Sequence, residues 1–247
     1  MTIADLFEQG SNRAYEICVP HISIDCVVFG FHESSLKVLL LKMKGVDKWG
    51  LPGGYMKKNE DIHEAASRIL KARTGAPQIF LEQFKVFSEI GRSEGDFSHL
   101  PKHFWQRQRF ISIGFYALVN YEEIKPRVDK ISEQCEWCNV DELPELMMDH
   151  HTIFTSALET LRKNLNNSPI GFNLLPKEFT MPQLQRLYEV ILGKSLHRGN
   201  FQRKMHSYDI LVKQSDSNTS NSRSPIVYSF DMAKYNEALR YGLQQNF

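Results

Sequence analysis

The 247-residue sequence predicts a mixed α/β fold in two parts, and three stretches predict it. Ser23–Phe31 (SIDCVVFGF) and Leu36–Met43 (LKVLLLKM) are β-branched and aliphatic runs split by the polar residues 32–35, the pattern of two paired strands. Trp49–Gly75 reads as strand, loop and helix: Gly53–Gly54 closes a short apolar strand, and from Asp61 the residues Ile62, Ala65, Ala66, Ile69 and Leu70 recur at helical spacing. Asn164–Pro169 then interrupts the chain with turn formers, and from Thr180 the pattern becomes one of short helices.

The remaining elements follow in order. Residues 1–20 read as an irregular or short helical lead-in. Ile79–Ile90 and Arg107–Asn120 are further strands, separated by GRSEGDFSHLPKHFWQ, a long polar loop studded with aromatics. Glu136–Val140 is the next strand, and DELPELMMDH follows it. Ile153, Phe154, Ala157, Leu158 and Leu161 mark an amphipathic helix. The expected division is a lead-in over 1–20, a first domain over 21–150, a connecting helix and linker over 151–170, and a second domain over 171–247.

Composition narrows the class. An apolar content of 42% suits a globular chain with a real core. No apolar run reaches the roughly 18 residues of a membrane span, and MTIADLFEQG lacks the basic and apolar segments of a secretory signal, so a cytoplasmic protein without a membrane partner is expected. Four cysteines are a poor disulfide framework for this length. Cys135 and Cys138 have half-site spacing for a metal, but no second pair completes it, and in a strand residues three apart face opposite ways. Residues 171–247 hold 10 Lys/Arg against 6 Asp/Glu, an excess that points to a polyanionic partner at this end.

The second domain explains that excess. Thr180 is a good N-cap with Pro182 in the first turn, and Leu184, Leu187, Tyr188, Ile191 and Leu192 form an apolar face. Gly193 ends that helix, and a second runs from about Leu196 to Ser207 with Phe201 and Met205 facing in. Two short helices joined by a tight Gly-containing turn are a helix-turn-helix. Leu211–Val212 and Ile226–Phe230, joined by SDSNTSNSRS, add a two-stranded wing with Arg223 near its tip. On the second helix Arg198, Asn200, Gln202, Arg203, Lys204 and His206 remain outside, residue types that neutralise phosphates or pair with purine edges.

The stretch from Trp49 to Gly75 resembles the Nudix box, G-x(5)-E-x(7)-R-E-U-x-E-E-x-G-U, with U a bulky aliphatic residue. Gly54, Glu60, Arg68, Leu70 and Gly75 fall on box positions, and the likeness extends over roughly residues 20–150. It implies an α/β/α sandwich. The chemistry departs from the family: Ile69, Ala72 and Arg73 stand where Nudix hydrolases carry metal-binding glutamates, and none of these side chains offers the oxygen ligands that a hard divalent cation needs. The expected domain binds without hydrolysing, with no metal and no cofactor. Glu60 and Arg68 then suit a loop-to-helix ion pair, and Gly54 and Gly75 a turn and a helix end.

A Nudix-like domain followed by IGFNLLPKEFTMPQLQRLYEVILGKSLHRGNFQRKM resembles the Nudix-related transcriptional regulators of the NrtR type. That resemblance implies a homodimer on double-stranded DNA whose affinity changes when an effector occupies the Nudix domain. Known effector classes are ADP-ribose-like metabolites and pentose sugars. FGFHESSLKVLLLKMK, RFISIGFYALV and the degenerate box are closer to the sugar-responsive group, whereas the loop from Arg92 to Gln106 is longer than in that group. Trp49, Arg92, Arg109 and Tyr116, with Lys42 at the edge, are the expected effector contacts: a stacking face, and cations for phosphate or hydroxyl oxygens. Two other readings stay open. One is an active hydrolase of a nucleoside diphosphate derivative with metal on Glu60, Glu64 and Glu82; the other is an adaptor whose second domain binds protein.

Overall fold

The computed structural model describes residues 3–75, 79–165, 168–214 and 225–243. The chain divides into two compact units, Met1–Gly30 with Lys37–Ala157, and Phe31–Leu36 with Leu158–Phe247. No helix among the described residues is long and apolar enough to cross a membrane.

The first unit opens with helix α1 (Ile3–Ile17), longer and more regular than the expected lead-in. Gly10, Ser11 and Asn12 are weak helix formers, but Phe7, Ser11 and Ala14 fall on one stripe and are all buried. Packing overrides propensity here. Strands β1 (Cys18–His32), β2 (Ser35–Met43), β3 (Trp49–Gly50), β4 (Gly53–Lys57), β5 (Phe80–Phe87), β6 (Ile111–Val119) and β7 (Ser132–Asn139) form one mixed sheet. The order is β3-β2-β1-β6-β5, with β4 also on β1 and β7 also on β2.

At 15 residues β1 serves several neighbours. Cys18–Asp25 pairs antiparallel with β4, and Ile22–Gly30 runs parallel to β6. Helix α2 (Ile62–Thr74) begins at the Asp61 capping box and ends at Gly75, whose φ of 69° is the left-handed conformation that favours glycine. Its buried residues Ala65, Ala66, Ile69 and Leu70 pack against Ile24, Cys26 and Val28 of β1, Leu39 of β2 and Phe115 and Ala117 of β6.

The loop expected to be polar folds its aromatics inward. Trp105 is fully buried, with Tyr15, Tyr55 and Phe110 rings 4.8–5.4 Å away. The Trp105 N–H donates to Ser11 Oγ at 2.8 Å, and Phe97 packs on Phe7. Helix α1 and this loop therefore hold each other, a pairing distant in sequence.

Helix α3 (His150–Asn164) begins in the first unit and continues into the second. The second unit contains β8 (Phe179–Thr180), α4 (Met181–Leu192), α5 (Arg198–Ser207), β9 (Leu211–Lys213), β10 (Val227–Phe230) and α6 (Met232–Tyr241). Strand β10 pairs antiparallel with both β8 and β9, a three-stranded sheet beside the helices. Helix α6 is an element beyond those the sequence pattern predicts; Asp231 caps it, and its buried Tyr235 donates to the Pro169 carbonyl at 2.6 Å.

Trp105→Ala removes the centre of the aromatic knot, at a cost of about 3–5 kcal/mol. Trp49 and Trp137 remain in the first unit as reporters, so urea unfolding followed by tryptophan fluorescence checks it.

Candidate functional site

A cavity of about 350 Å³ opens in the first unit between β1, β4, α2 and the aromatic loop. Its polar floor is Asp25, a carboxylate in the middle of an apolar strand. A buried charge must be paired, and this one is. Ser112 Oγ donates to Asp25 Oδ2 at 2.5 Å, Arg92 Nη2 lies 3.5 Å from the same oxygen, and His150 Nε2 is 3.7 Å from Oδ1. The register sets Asp25 opposite Gly53, where a Cβ would stand 2.6 Å from Oδ1, so only glycine leaves room for the carboxylate.

Arg92 is held from a second side. Its Nε and Nη2 donate to Asp149 Oδ2 and Oδ1 at 2.7 and 2.6 Å, a two-point pairing that fixes the plane of the guanidinium. Burial lowers the His150 imidazole below its ordinary range, and Nδ1 accepts from the Leu51 N–H at 2.9 Å, which marks it as the nitrogen without a proton.

The far wall comes from α2. Arg68 pairs with both oxygens of Glu60 and donates to the Tyr55 carbonyl at 2.9 Å, and Glu60 also accepts from the Lys57 N–H. The Arg68 hydrogen bonds, opposed by burial, hold the Glu60 carboxyl below its usual range. Arg73 pairs with Asp129, whose carboxyl burial alone would raise; bonds from Ser132 and the charge of Arg73 keep it low. Arg68, Arg73 and Arg92, the three arginines in the lining, are thus each already paired with a carboxylate. Ser93 Oγ and Gln106 Oε1, also on lining residues, have no partner among the described residues.

A second surface lies in the other unit. Thr180 and Gln183 form a capping box at the start of α4, and Gly193, at φ 67°, ends it. The turn to α5 is pinned by Glu189, whose Oε1 accepts from the Leu196 N–H and from Gln185 Nε2 at 2.9 and 3.0 Å. Phe201 and Met205 are buried, with Phe201 against Tyr188, so Arg198, Asn200, Arg203 and Lys204 face solvent while Gln202 is half-buried. The β9–β10 pairing confirms the wing strands; Arg223 lies outside the described residues.

The sequence profile of the Nudix domain matches residues 19–157, more than half the chain. The chain belongs to the Nudix family. The profile of the NrtR DNA-binding winged helix domain matches residues 171–230. Over 223 residues the chain is 26% identical to the ADPR responsive transcriptional repressor NtrR of Acinetobacter baylyi, covering 87% of this chain and 84% of that protein. Among solved structures, Shewanella oneidensis NrtR complexed with a 27mer DNA superposes with TM-score 0.72 at 23% identity, over 92% of this chain and 99% of that one. A MutT/nudix family protein from Enterococcus faecalis reaches 0.66 at 19% identity, over 94% of each. These likenesses establish the fold, a Nudix sandwich followed by a winged helix.

In Nudix terms the cavity occupies the box. Gly54, Arg68, Ile69, Ala72 and Arg73 all line it, so the three positions that lack glutamate present an alkyl chain, a methyl and a neutralised guanidinium. These residues do not fit a divalent cation. The alternative carboxylates are dispersed: Glu60 is on Arg68, Glu64 caps α2, and Glu82 accepts from Tyr116 Oη at 2.6 Å. Among the described residues no group of three His, Cys, Asp or Glu side chains could hold a metal.

Of the five expected effector contacts, Arg92 lines the cavity and the others do not. Lys42 pairs with Asp47 and Glu133. Exposed Arg109 donates to the Ser88 carbonyl, and Tyr116 is buried in the sheet. Trp49 works through its backbone, donating to the Glu145 carbonyl and accepting from the Met147 N–H, which strings residues 145–147 along β3. Each of these four side chains or backbones has a partner inside the fold that engages it away from the cavity. Asp25 and the Asp149-His150 pair were missed. Their signal was present: a lone carboxylate inside SIDCVVFGF, and an acid–imidazole pair directly after apolar LMM.

Because Glu60 titrates below its usual range, its bond to Arg68 is fully formed above the ordinary carboxylate value and is lost as pH falls through the depressed one. Glu60→Gln should therefore melt lower than wild type at pH 7, with the gap closing towards pH 3 in calorimetry.

Proposed function

We propose that the chain is a DNA-binding transcriptional regulator whose Nudix domain binds a small metabolite without hydrolysing it and thereby changes the affinity of the winged helix for double-stranded DNA. One observation carries this reading: a Nudix domain that has lost its metal-ligand side chains is joined to a DNA-binding module of the NrtR type. The similarity to a transcriptional repressor over most of both chains supports it.

On the DNA side, Arg198, Arg203 and Lys204 neutralise phosphates or reach guanine, and Asn200 and Gln202 are suited to adenine. Arg223 of the wing segment adds a phosphate contact. A homodimer would present two α5 helices to half-sites about one helical turn apart, roughly 34–36 Å. Effector binding shifts the population between arrangements that do and do not span them.

On the effector side, an uncharged polyhydroxylated ligand such as a pentose is favoured by the charge balance. With all three lining arginines paired, a diphosphate would have to break an ion pair to be neutralised. A sugar instead donates its hydroxyls to Asp25, Asp129 and the free Gln106 Oε1, while Phe97 and Phe110 cover its C–H faces. The cavity's volume lies at the small end of the roughly 300–1,000 Å³ of ligand pockets. ADP-ribose is the second reading, favoured by the effector in the name of the Acinetobacter relative.

Fluorescence anisotropy on a duplex from the protein's own upstream region, with ADP-ribose and with ribose, arabinose and xylose, decides between them. Selective binding that one pentose alters supports the regulator and the sugar; a response to ADP-ribose alone moves the effector to the second reading. Arg203→Ala and Lys204→Ala should each weaken binding and lower the salt slope by about 1. Unchanged binding in both would remove α5 from the DNA contact. Magnesium-dependent turnover of ADP-ribose would make the domain a hydrolase instead.

A further inference from the structure

The cavity has one wall that is also the start of a helix. Met147, Met148 and His150 line it, and Asp149, between them, turns its carboxylate to Arg92 and does not line the cavity. The Asp149 carbonyl accepts from the Ile153 N–H, the first bond of α3, so this residue is both the partner of a cavity arginine and the N-cap of the helix. An acidic side chain suits that helix end on its own account. Met148 before it is held at φ 49°, a left-handed conformation costly for a side chain of this size. Its N–H donates to Asp96, which pairs in turn with Lys48. The segment is thus fixed by several groups in a conformation it would leave if released.

The other end of α3 carries a matching link. Arg162 Nε donates to the Ile191 carbonyl at 2.7 Å, in the last turn of α4 and two residues before Gly193, which begins the turn to α5. Asp149 at the N-cap and Arg162 near the far end of this uninterrupted 15-residue helix are about 20 Å apart at 1.5 Å per residue.

Resting on the effector reading above, we infer that Asp149 is the coupling residue of the cavity. A ligand whose hydroxyls bond the Asp25 carboxylate draws it from Arg92 Nη2, 3.5 Å away, and so alters the Arg92–Asp149 pairing and with it the seat of α3, and Arg162 passes the change to the carbonyl end of α4 beside the α5 turn. Asp149 acts by positioning the helix and touches neither ligand nor DNA.

The test uses the full chain, the upstream duplex, and ADP-ribose, ribose, arabinose and xylose as probes, with DNA affinity from anisotropy and probe affinity from calorimetry. Wild type should change its DNA affinity by about 5- to 150-fold with the active probe. Asp149→Asn and Arg162→Met should keep that probe's affinity within about threefold, while the probe then shifts DNA affinity by less than about twofold. Asp149→Glu, which keeps the charge, should restore much of the shift. Asp149→Asn retaining the full shift overturns the inference, as does loss of probe binding in that variant, which would make Asp149 a binding residue. Should Asp149→Asn fail to fold, Arg162→Met decides, and a wild-type shift in it overturns the inference. A wild-type protein whose DNA binding no probe alters overturns the regulator reading itself, a result distinct from all of these.

Discussion

The first unit is arranged around one constraint: Asp25 carries a carboxylate into the middle of an apolar strand. Ile24 and Cys26, its neighbours in β1, are fully buried on the core side, so the alternation of the strand sends Asp25 to the opposite face. There it needs a hydroxyl from Ser112, a guanidinium from Arg92 and space over Gly53. Arg92 is too buried to be left with a distant partner, which brings in Asp149 and hence the start of α3. Slipping β1 by one residue would reverse every one of these assignments. The cavity is what remains above this paired floor.

Replacing the box glutamates changes more than metal affinity. In a site that already contains Asp25 and Asp129, three further carboxylates without a cation would repel one another. Ile69, Ala72 and Arg73 relieve that: Ile69 packs into the core and under Gly54, and Arg73 neutralises Asp129. The Glu60–Arg68 pair survives because it does a different job, tying the loop before α2 to the helix and to β4 through the Tyr55 carbonyl. Loss of one set of box residues and retention of the other is consistent with a domain kept for its shape.

Much of this was legible in the sequence because it is local. The strands of the β1–β2 hairpin, the capped helices α2 and α4 and the pair of wing strands each announce themselves within a few residues. What was not legible depends on partners far along the chain. Helix α1 looks poor until Trp105 and Phe97 cover it, and the loop before β6 looks polar until its aromatics find α1. The same holds for the site. Trp49, Lys42, Arg109 and Tyr116 carry the right functional groups, but the sheet register and nearby carboxylates or carbonyls engage them elsewhere. Asp25 and Asp149 become meaningful only once Arg92 is seen between them.

The turn between α4 and α5 has its own consequence. Glu189 satisfies both the Leu196 N–H and Gln185, while Gly193 closes the preceding helix, so the approach angle of α5 is set by bonds internal to the unit. The conformational entropy of fixing that helix is lost at folding, leaving less to lose on meeting a partner. A surface prepared in this way discriminates by fit and not by moulding itself to whatever it meets.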